Sequence, residues 1–199
     1  MISKRLLIIV LIVVFGCKKN IKPDILSLTV ITDQSIYIPD DYIADKFDYP
    51  VGKPDAKNYY NAQVFGENYH LGDDWNSVKG GNSDLGDPIY AIANGYISVS
   101  EDFGGGWGNV IRIIHQLPDG SQLESLYAHC DTLAVKQNEL VRIGQQIGTI
   151  GTANGQYYAH LHLEIRNKIN MPLGNGYSKN KTGYLDPTEF IKSHRVINK

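Results

Sequence analysis

The chain has 199 residues, 19 basic and 21 acidic side chains, and two cysteines. That length suits one domain with some extra chain, and a net charge of −2 excludes the basic surface that a nucleic-acid partner requires. Thirteen tyrosines and twenty glycines favour strands, tight turns and loops, and no heptad pattern, low-complexity tract or internal repeat is present.

The chain opens with "MISKRLLIIVLIVVFGC", in which Lys4 and Arg5 precede ten apolar residues, Leu6 to Phe15, and then Gly16 and Cys17. Such an apolar run is shorter than the roughly 20 residues that span a bilayer. A basic start, a short apolar stretch and a small residue read as an export signal, and "VFGC" resembles a bacterial lipobox. Residues 1–16 are therefore expected to be a lipoprotein signal peptide, with Cys17 the lipidated first residue of the mature chain. Acyl chains contribute about 0.8 kcal/mol per buried methylene, so several of them anchor a protein durably. Loss of Lys4 and Arg5 takes the basic count from 19 to 17 against 21 acidic residues, a net charge of −4. Acylation of Cys17 would leave Cys130 as the one free thiol and preclude an intramolecular disulfide. The expected location is the periplasm or cell surface, facing the wall, and the expected state is a monomer.

Residues 17–58 carry scattered prolines (Pro23, Pro39, Pro50, Pro54) and the Asp-rich "PDDYIADKFDYP". They read as a tether followed by an irregular, partly packed lead-in. From Tyr59 the texture changes, and residues 59–199 read as the functional domain. "AQVFGENYH", "DPIYAIANGYISVS", "NVIRIIHQ", "SQLESLYAH" and "AHLHLEIR" are short apolar or alternating runs separated by turns rich in glycine or polar residues. Strands at this spacing predict an all-β fold, mainly antiparallel, of the sandwich or half-barrel type. "IIHQLPDGSQLESLYAH" predicts a hairpin turning at Asp119 and Gly120. One helix is predicted at the end, in "DPTEFIKSH". There Asp186 can cap, Pro187 suits the first helical position, and Glu189 lies three after the cap.

Three histidine-bearing stretches carry the chemistry. "YHLGDDW" sets His70, Gly72 and Asp74 at H-x-G-x-D spacing, "LYAHC" supplies His129, and "AHLHLE" supplies His160 and His162. On a strand, alternate side chains share a face, so His160 and His162 project together while Leu161 and Leu163 project behind. Hydrolytic zinc sites use three protein ligands and keep a position for water, whose pKa falls to roughly 7. His70, Asp74 and one member of the H-x-H pair would complete such a ligand set, with Asp73 a rival carboxylate. The other H-x-H imidazole and His129 would remain for proton transfer and charge stabilisation. Spacing alone leaves open whether both H-x-H imidazoles meet the metal. There is no H-E-x-x-H helix. Alternation turns Cys130 away from His129, toward a core. Glu164 is either a solvated strand residue or an acceptor that orients a histidine. His115 and His194 have no partners in sequence and read as structural or surface residues.

Taken in order, these stretches resemble the lysostaphin-like, LytM-type zinc endopeptidases of bacterial cell walls. The resemblance runs from about Phe65 to Pro187. It is carried by "HLGDDW", "GDPIYAIANGYI", "GGGWGNVIRIIH", "LYAH", "VRIGQQIGTIG", "HLHLE" and the closing "YLDP". It implies one zinc ion held by His70, Asp74 and His162, with catalytic roles for His129 and His160 and an open groove for substrate. The implied activity is hydrolysis of peptide cross-links in peptidoglycan by metal-activated water. The alternative is a non-catalytic wall module that activates other hydrolases, as some domains of this family do. Two departures stand out: "QYYAHLH" replaces a common Gly-Pro, making Tyr157 and Tyr158 candidate substrate contacts, and Leu163 replaces a common aromatic. The glycines of "FGGGWGN" are expected beside the groove.

Overall fold

A computed structural model describes residues 35–195; the signal segment and Cys17 lie outside the described residues. Ten strands build the domain: β1 (Tyr59–Gln63), β2 (Asp73–Ser77), β3 (Pro88–Tyr90), β4 (Gly95–Asp102), β5 (Asn109–Gln116), β6 (Gln122–Leu133), β7 (Leu140–Val141), β8 (Gln146–Ile150), β9 (Leu161–Arg166) and β10 (Tyr184–Leu185). The main path runs β1-β2-β9-β6-β5-β4-β7, with β10 beside β9 and β8 between β3 and β6. Every pairing is antiparallel. The sheet is open, since β1 and β7 end the path without meeting. This is the predicted all-β, mainly antiparallel architecture.

The local signals act as expected. Residues 117–121 join β5 to β6, with Asp119 Oδ1 accepting from the Ser121 backbone at 3.0 Å and Gly120 at φ 84° closing the turn. The helix α1 spans Pro187–His194, and Asp186 accepts from the Glu189 backbone at 3.0 Å, which satisfies a first-turn N–H. No helix among the described residues is long and apolar enough to cross a membrane.

Alternation along β9 divides its side chains. Leu161, Leu163 and Ile165 enter the main apolar core with Trp75, Ile111, Ile113, Tyr127 and Cys130. Full burial of each aliphatic side chain contributes about 1.5–3 kcal/mol. Residues 35–58 are mostly irregular yet add Ile38, Ala44, Phe47 and Val51 to the buried apolar set. They are stitched to the sheet through Ala44 N–H to Gln116 O and Asp48 N–H to Ile92 O, both 2.8 Å. Arg195 then pairs with Asp48 at 2.7 Å and Asp55 at 2.5 Å, joining the end of α1 to this lead-in.

Candidate metal centre and groove

The opposite face of β9 is just as buried and polar. Asp74 on β2 stands directly across from His162 on β9, which in turn faces Ala128 on β6. Side chains directly opposite on antiparallel strands touch, so Asp74 Oδ1 and His162 Nδ1 lie 2.9 Å apart. His70 precedes β2 and arrives from a tight turn, Glu67–Tyr69, where Asn68 and Tyr69 both have positive φ. Its Nε2 reaches His162 Nδ1 at 3.0 Å and Asp74 Oδ1 at 3.3 Å. His70 Nδ1 is buried without a protein partner.

Gly72 explains the H-x-G-x-D spacing. A Cβ there would lie 2.8 Å from His162 Cε1 and 3.0 Å from Glu164 Cγ, so only glycine lets the two strands bring His70, Asp74 and His162 together.

Three donor atoms separated by 2.9, 3.0 and 3.3 Å match the edges, about 3.3 Å, of a tetrahedron with metal bonds of about 2.0–2.1 Å. Two imidazole nitrogens and one carboxylate oxygen are also the donor types such an ion takes. His162 offers Nδ1 and directs Nε2 at Glu164 Oε1, 3.1 Å away, the outer partner that fixes a ligating imidazole. Glu164 is fully buried, so of its two sequence readings the orienting acceptor holds. Burial would raise the Asp74 carboxyl, but hydrogen bonds from His162 and His70 hold it well below the ordinary carboxylate range. His162 is buried too, yet Asp74 and Glu164 lift it to about 9. The geometry selects His162, not His160, as the H-x-H member in this cluster; His160 Nε2 stands 3.9 Å from Asp74 Oδ1.

His129 reaches the same place by a backbone irregularity. Strict alternation from Tyr127, a core residue, would send His129 into the core as well. Between β5 and β6, however, the register steps from Tyr127 to Cys130 against Asn109 to Ile111. This bulge inserts one residue, and His129 takes it with φ at 63°. Bulges re-aim side chains: His129 turns to the groove and Cys130 returns to the core. Burial pushes the Cys130 thiol up to about 12, leaving it inert. His129 packs against His160 with ring centroids 4.7 Å apart. Burial, aided by His162 and His160, pushes it down to about 3, so it is neutral at ordinary pH.

A cavity of about 500 Å³ opens over these residues, walled by Gln63, Trp107, Tyr157 and Tyr177. Tyr157 lies between His129, at 5.1 Å, and His160, at 5.9 Å between ring centroids. Its hydroxyl passes where a Cβ on Gly106 would stand, 2.6 Å away, so the glycine loop admits the tyrosine. Tyr158 is 74 % exposed and lines an adjoining depression that continues past His160. Sequence reasoning missed Gln63 and Tyr177. Tyr177 comes from the long loop after β9, packs against His70 with ring centroids 5.1 Å apart and the planes tilted by 38°, and donates its hydroxyl to Gln63 Oε1 at 3.0 Å; no local pattern marks it. His115 and His194 lie elsewhere: His115 is buried with Asn94 and Ser125, and His194 stacks on Phe190.

The chain is similar to known proteins. Over 100 residues the chain is 39 % identical to "Lipoprotein NlpD" of Yersinia enterocolitica, covering 50 % of this chain and 91 % of that one. It is 34 % identical over 113 residues to the "Murein hydrolase activator NlpD" of Escherichia coli, covering 54 % of this chain but only 27 % of the relative's length. Lysostaphin in solution, an antimicrobial peptidase of Staphylococcus simulans, superposes with a TM-score of 0.51 at 25 % identity, over 71 % of this chain and 54 % of that one. Residues 72–179 match Peptidase family M23. The span takes in Asp74, His129, His160 and His162, with His70 just ahead of it. The chain belongs to Peptidase family M23.

Proposed function

We propose that this domain is a zinc-dependent endopeptidase that hydrolyses the peptide cross-links of bacterial peptidoglycan, displayed on an envelope lipoprotein anchored through Cys17. The observation that carries the reading is the convergence of His70, Asp74 and His162 within 3.3 Å beside His129 and His160, all lining one groove. The NlpD relatives and the lysostaphin likeness favour the wall as substrate and, for NlpD, a lipid anchor.

His70 Nε2, Asp74 Oδ1 and His162 Nδ1 would hold the ion. Zinc there supplies a Lewis acid for the scissile carbonyl and makes water nucleophilic near neutral pH. The protein's own part falls to two imidazoles. A backbone carbonyl only accepts, so His160 Nδ1–H donates to Tyr158 O at 2.8 Å and His129 Nδ1–H donates to Trp107 O at 3.3 Å. Each histidine thereby turns an unprotonated Nε2 to the groove, an acceptor able to take a proton from the nucleophile and, only once protonated, to donate to the developing oxyanion. The low basicity of His129 keeps it an acceptor until charge develops beside it. Tyr157 and Tyr158 are assigned to the substrate peptide along the groove. Cys130 faces the core and offers no thiol to the groove.

A second reading is a non-catalytic activator of other wall hydrolases, and the name of the E. coli relative favours it. The filled ligand set favours the enzyme. The test is digestion of purified peptidoglycan of known composition, with fragments identified by mass spectrometry and zinc by elemental analysis. The enzyme reading expects one zinc per chain and chelator-sensitive release of cleaved cross-links. A zinc-free, inactive domain that stimulates a separate wall hydrolase would establish the activator instead.

A further inference from the structure

The polar face of β9 does not stop at the site. Below His162 it continues as an unbroken run of buried charges, and the far end of that run holds a loop. Glu164 Oε2 accepts from Arg166 Nε at 2.7 Å, and the second arm of the same guanidinium lies 2.6 Å from that oxygen. Arg166, directly across the sheet from Glu124, is fully buried. Its remaining donors go to the backbone carbonyls of Met171 at 3.4 Å, Pro172 at 3.5 Å and Leu173 at 3.1 Å. Arg112 doubles the grip: it pairs with Glu124 at 2.6 Å and donates to Met171 O at 2.8 Å, while Glu124 accepts from the Asn170 backbone at 3.2 Å.

The loop so held is the one that forms a groove wall. Gly174, Asn175, Gly176 and Tyr177 line the cavity. Their other attachments lie beside the proposed ligands and the glycine loop: Trp107 Nε1 donates to Gly174 O at 3.1 Å, and Leu71 N–H donates to Gly176 O at 2.9 Å. One rigid guanidinium therefore touches, on one side, the carboxylate that orients His162 and, on the other, three consecutive carbonyls that lead directly into the wall at Gly174.

We propose that Arg166 is a positioning residue that couples occupancy of the metal site to the geometry of the wall at residues 170–177. The proposal rests on the reading of His70, Asp74 and His162 as ligands. An ion on Nδ1 would fix the plane of the His162 ring and with it the direction of the Nε2 contact to Glu164 Oε1, 3.1 Å long. Glu164 then fixes the planar fork of Arg166, and a fork admits few geometries for the carbonyls it also holds. Coupling is reciprocal, so an ordered wall tightens the ion by the same factor that the ion orders the wall.

The test compares the full chain with and without added zinc, by amide hydrogen exchange across residues 162–178 and by competition against a chelator for affinity. The expected result is exchange about ten-fold slower at residues 170–174 when zinc is bound. Arg166→Gln should abolish that zinc dependence and weaken zinc binding about ten-fold, whereas a purely structural arginine would lower stability and leave the zinc dependence in place. Should Arg166→Gln not fold, the wild-type comparison decides alone. Wild-type chain that takes up zinc with unchanged loop exchange overturns the coupling and leaves the metal reading standing. Wild-type chain that takes up no zinc overturns both, and the chelator measurement tells the two failures apart.

Discussion

The two faces of β9 are equally dry and differently built. On one, Leu161, Leu163 and Ile165 pack into the main apolar core. On the other, His162, Glu164 and Arg166 are buried to the same degree among Asp74, Glu124 and Arg112. The apolar face stabilises in proportion to area and tolerates changes of shape. The charged face gains little net stability, because desolvation offsets pairing, yet every atom has a specified neighbour. Three carboxyl groups, Asp74, Glu164 and Glu124, stand there with only two guanidinium groups, Arg112 and Arg166. A protonated His162 or a bound cation supplies what is missing. The same strand thus divides stability from placement, the first given to its leucines and the second to its charges.

Substitutions on the two faces should separate these roles. The largest effect is expected from His162→Ala, which should abolish bound zinc and lower wall cleavage by roughly 1,000-fold or more. Its thermal midpoint should fall below that of metal-free wild type, because Asp74 and Glu164 lose the imidazole between them; elemental analysis, turnover and melting read the three effects together. Full turnover by this variant would refute the ligand assignment. Next, Leu163→Ala on the opposite face should destabilise by about 2–5 kcal/mol in urea titration while the surviving folded fraction still binds zinc.

A third test uses a titratable group on the core side. His115 Nδ1 lies 2.7 Å from Asn94 O, and its Nε2 lies 2.7 Å from Ser125 Oγ. Because Nδ1 must donate to the carbonyl, Nε2 accepts and the ring is neutral. Burial pushes its pKa down to about 4, below the unfolded value of about 6.5. The unfolded chain then binds the extra proton between these values. Stability should fall as pH drops from about 6.5 to about 4, by about 3 kcal/mol from this residue. Urea midpoints of wild type and His115→Gln across that window should diverge at neutral pH and converge at the acid end if the assignment holds. The smallest effect is expected from Tyr177→Phe, which removes the bond to Gln63 at a cost of about 1 kcal/mol. A rise in KM of about five-fold with kcat preserved would place that hydroxyl in wall geometry alone.

Much of this was legible in the sequence because it is local. Asp119 and Gly120 mark their hairpin, Asp186 and Pro187 mark their helix, and the period of two in "AHLHLE" puts both histidines on one face. What was not legible depends on contacts distant in the chain. The outward turn of His129 needs a bulge that arises from the pairing of β5 with β6, and alternation from Tyr127 points the wrong way. Glu164 looks like a solvated strand residue until the loop after β9 covers it and Arg166 meets it. Tyr177 sits in that same loop, more than a hundred residues from the Gln63 it bonds, in a stretch without periodicity. Gly72 carried a readable clue, since a glycine between two polar ligand types signals a close approach, although what approaches is visible only in the fold.

The lead-in has a mechanical consequence. Ahead of the domain, Gln122 holds Ile36 through paired side-chain and backbone bonds, 2.6 Å and 3.3 Å long. Further on, Ala44 and Asp48 bond to Gln116 and Ile92, and Phe47 and Val51 are buried. None of residues 35–58 lines the groove. Tension entering at Ser35 would be taken up in series along this seam, one attachment after another, before any of it reached β2 or β9. A chain held at its leading end could therefore be tugged while its histidines kept their spacing.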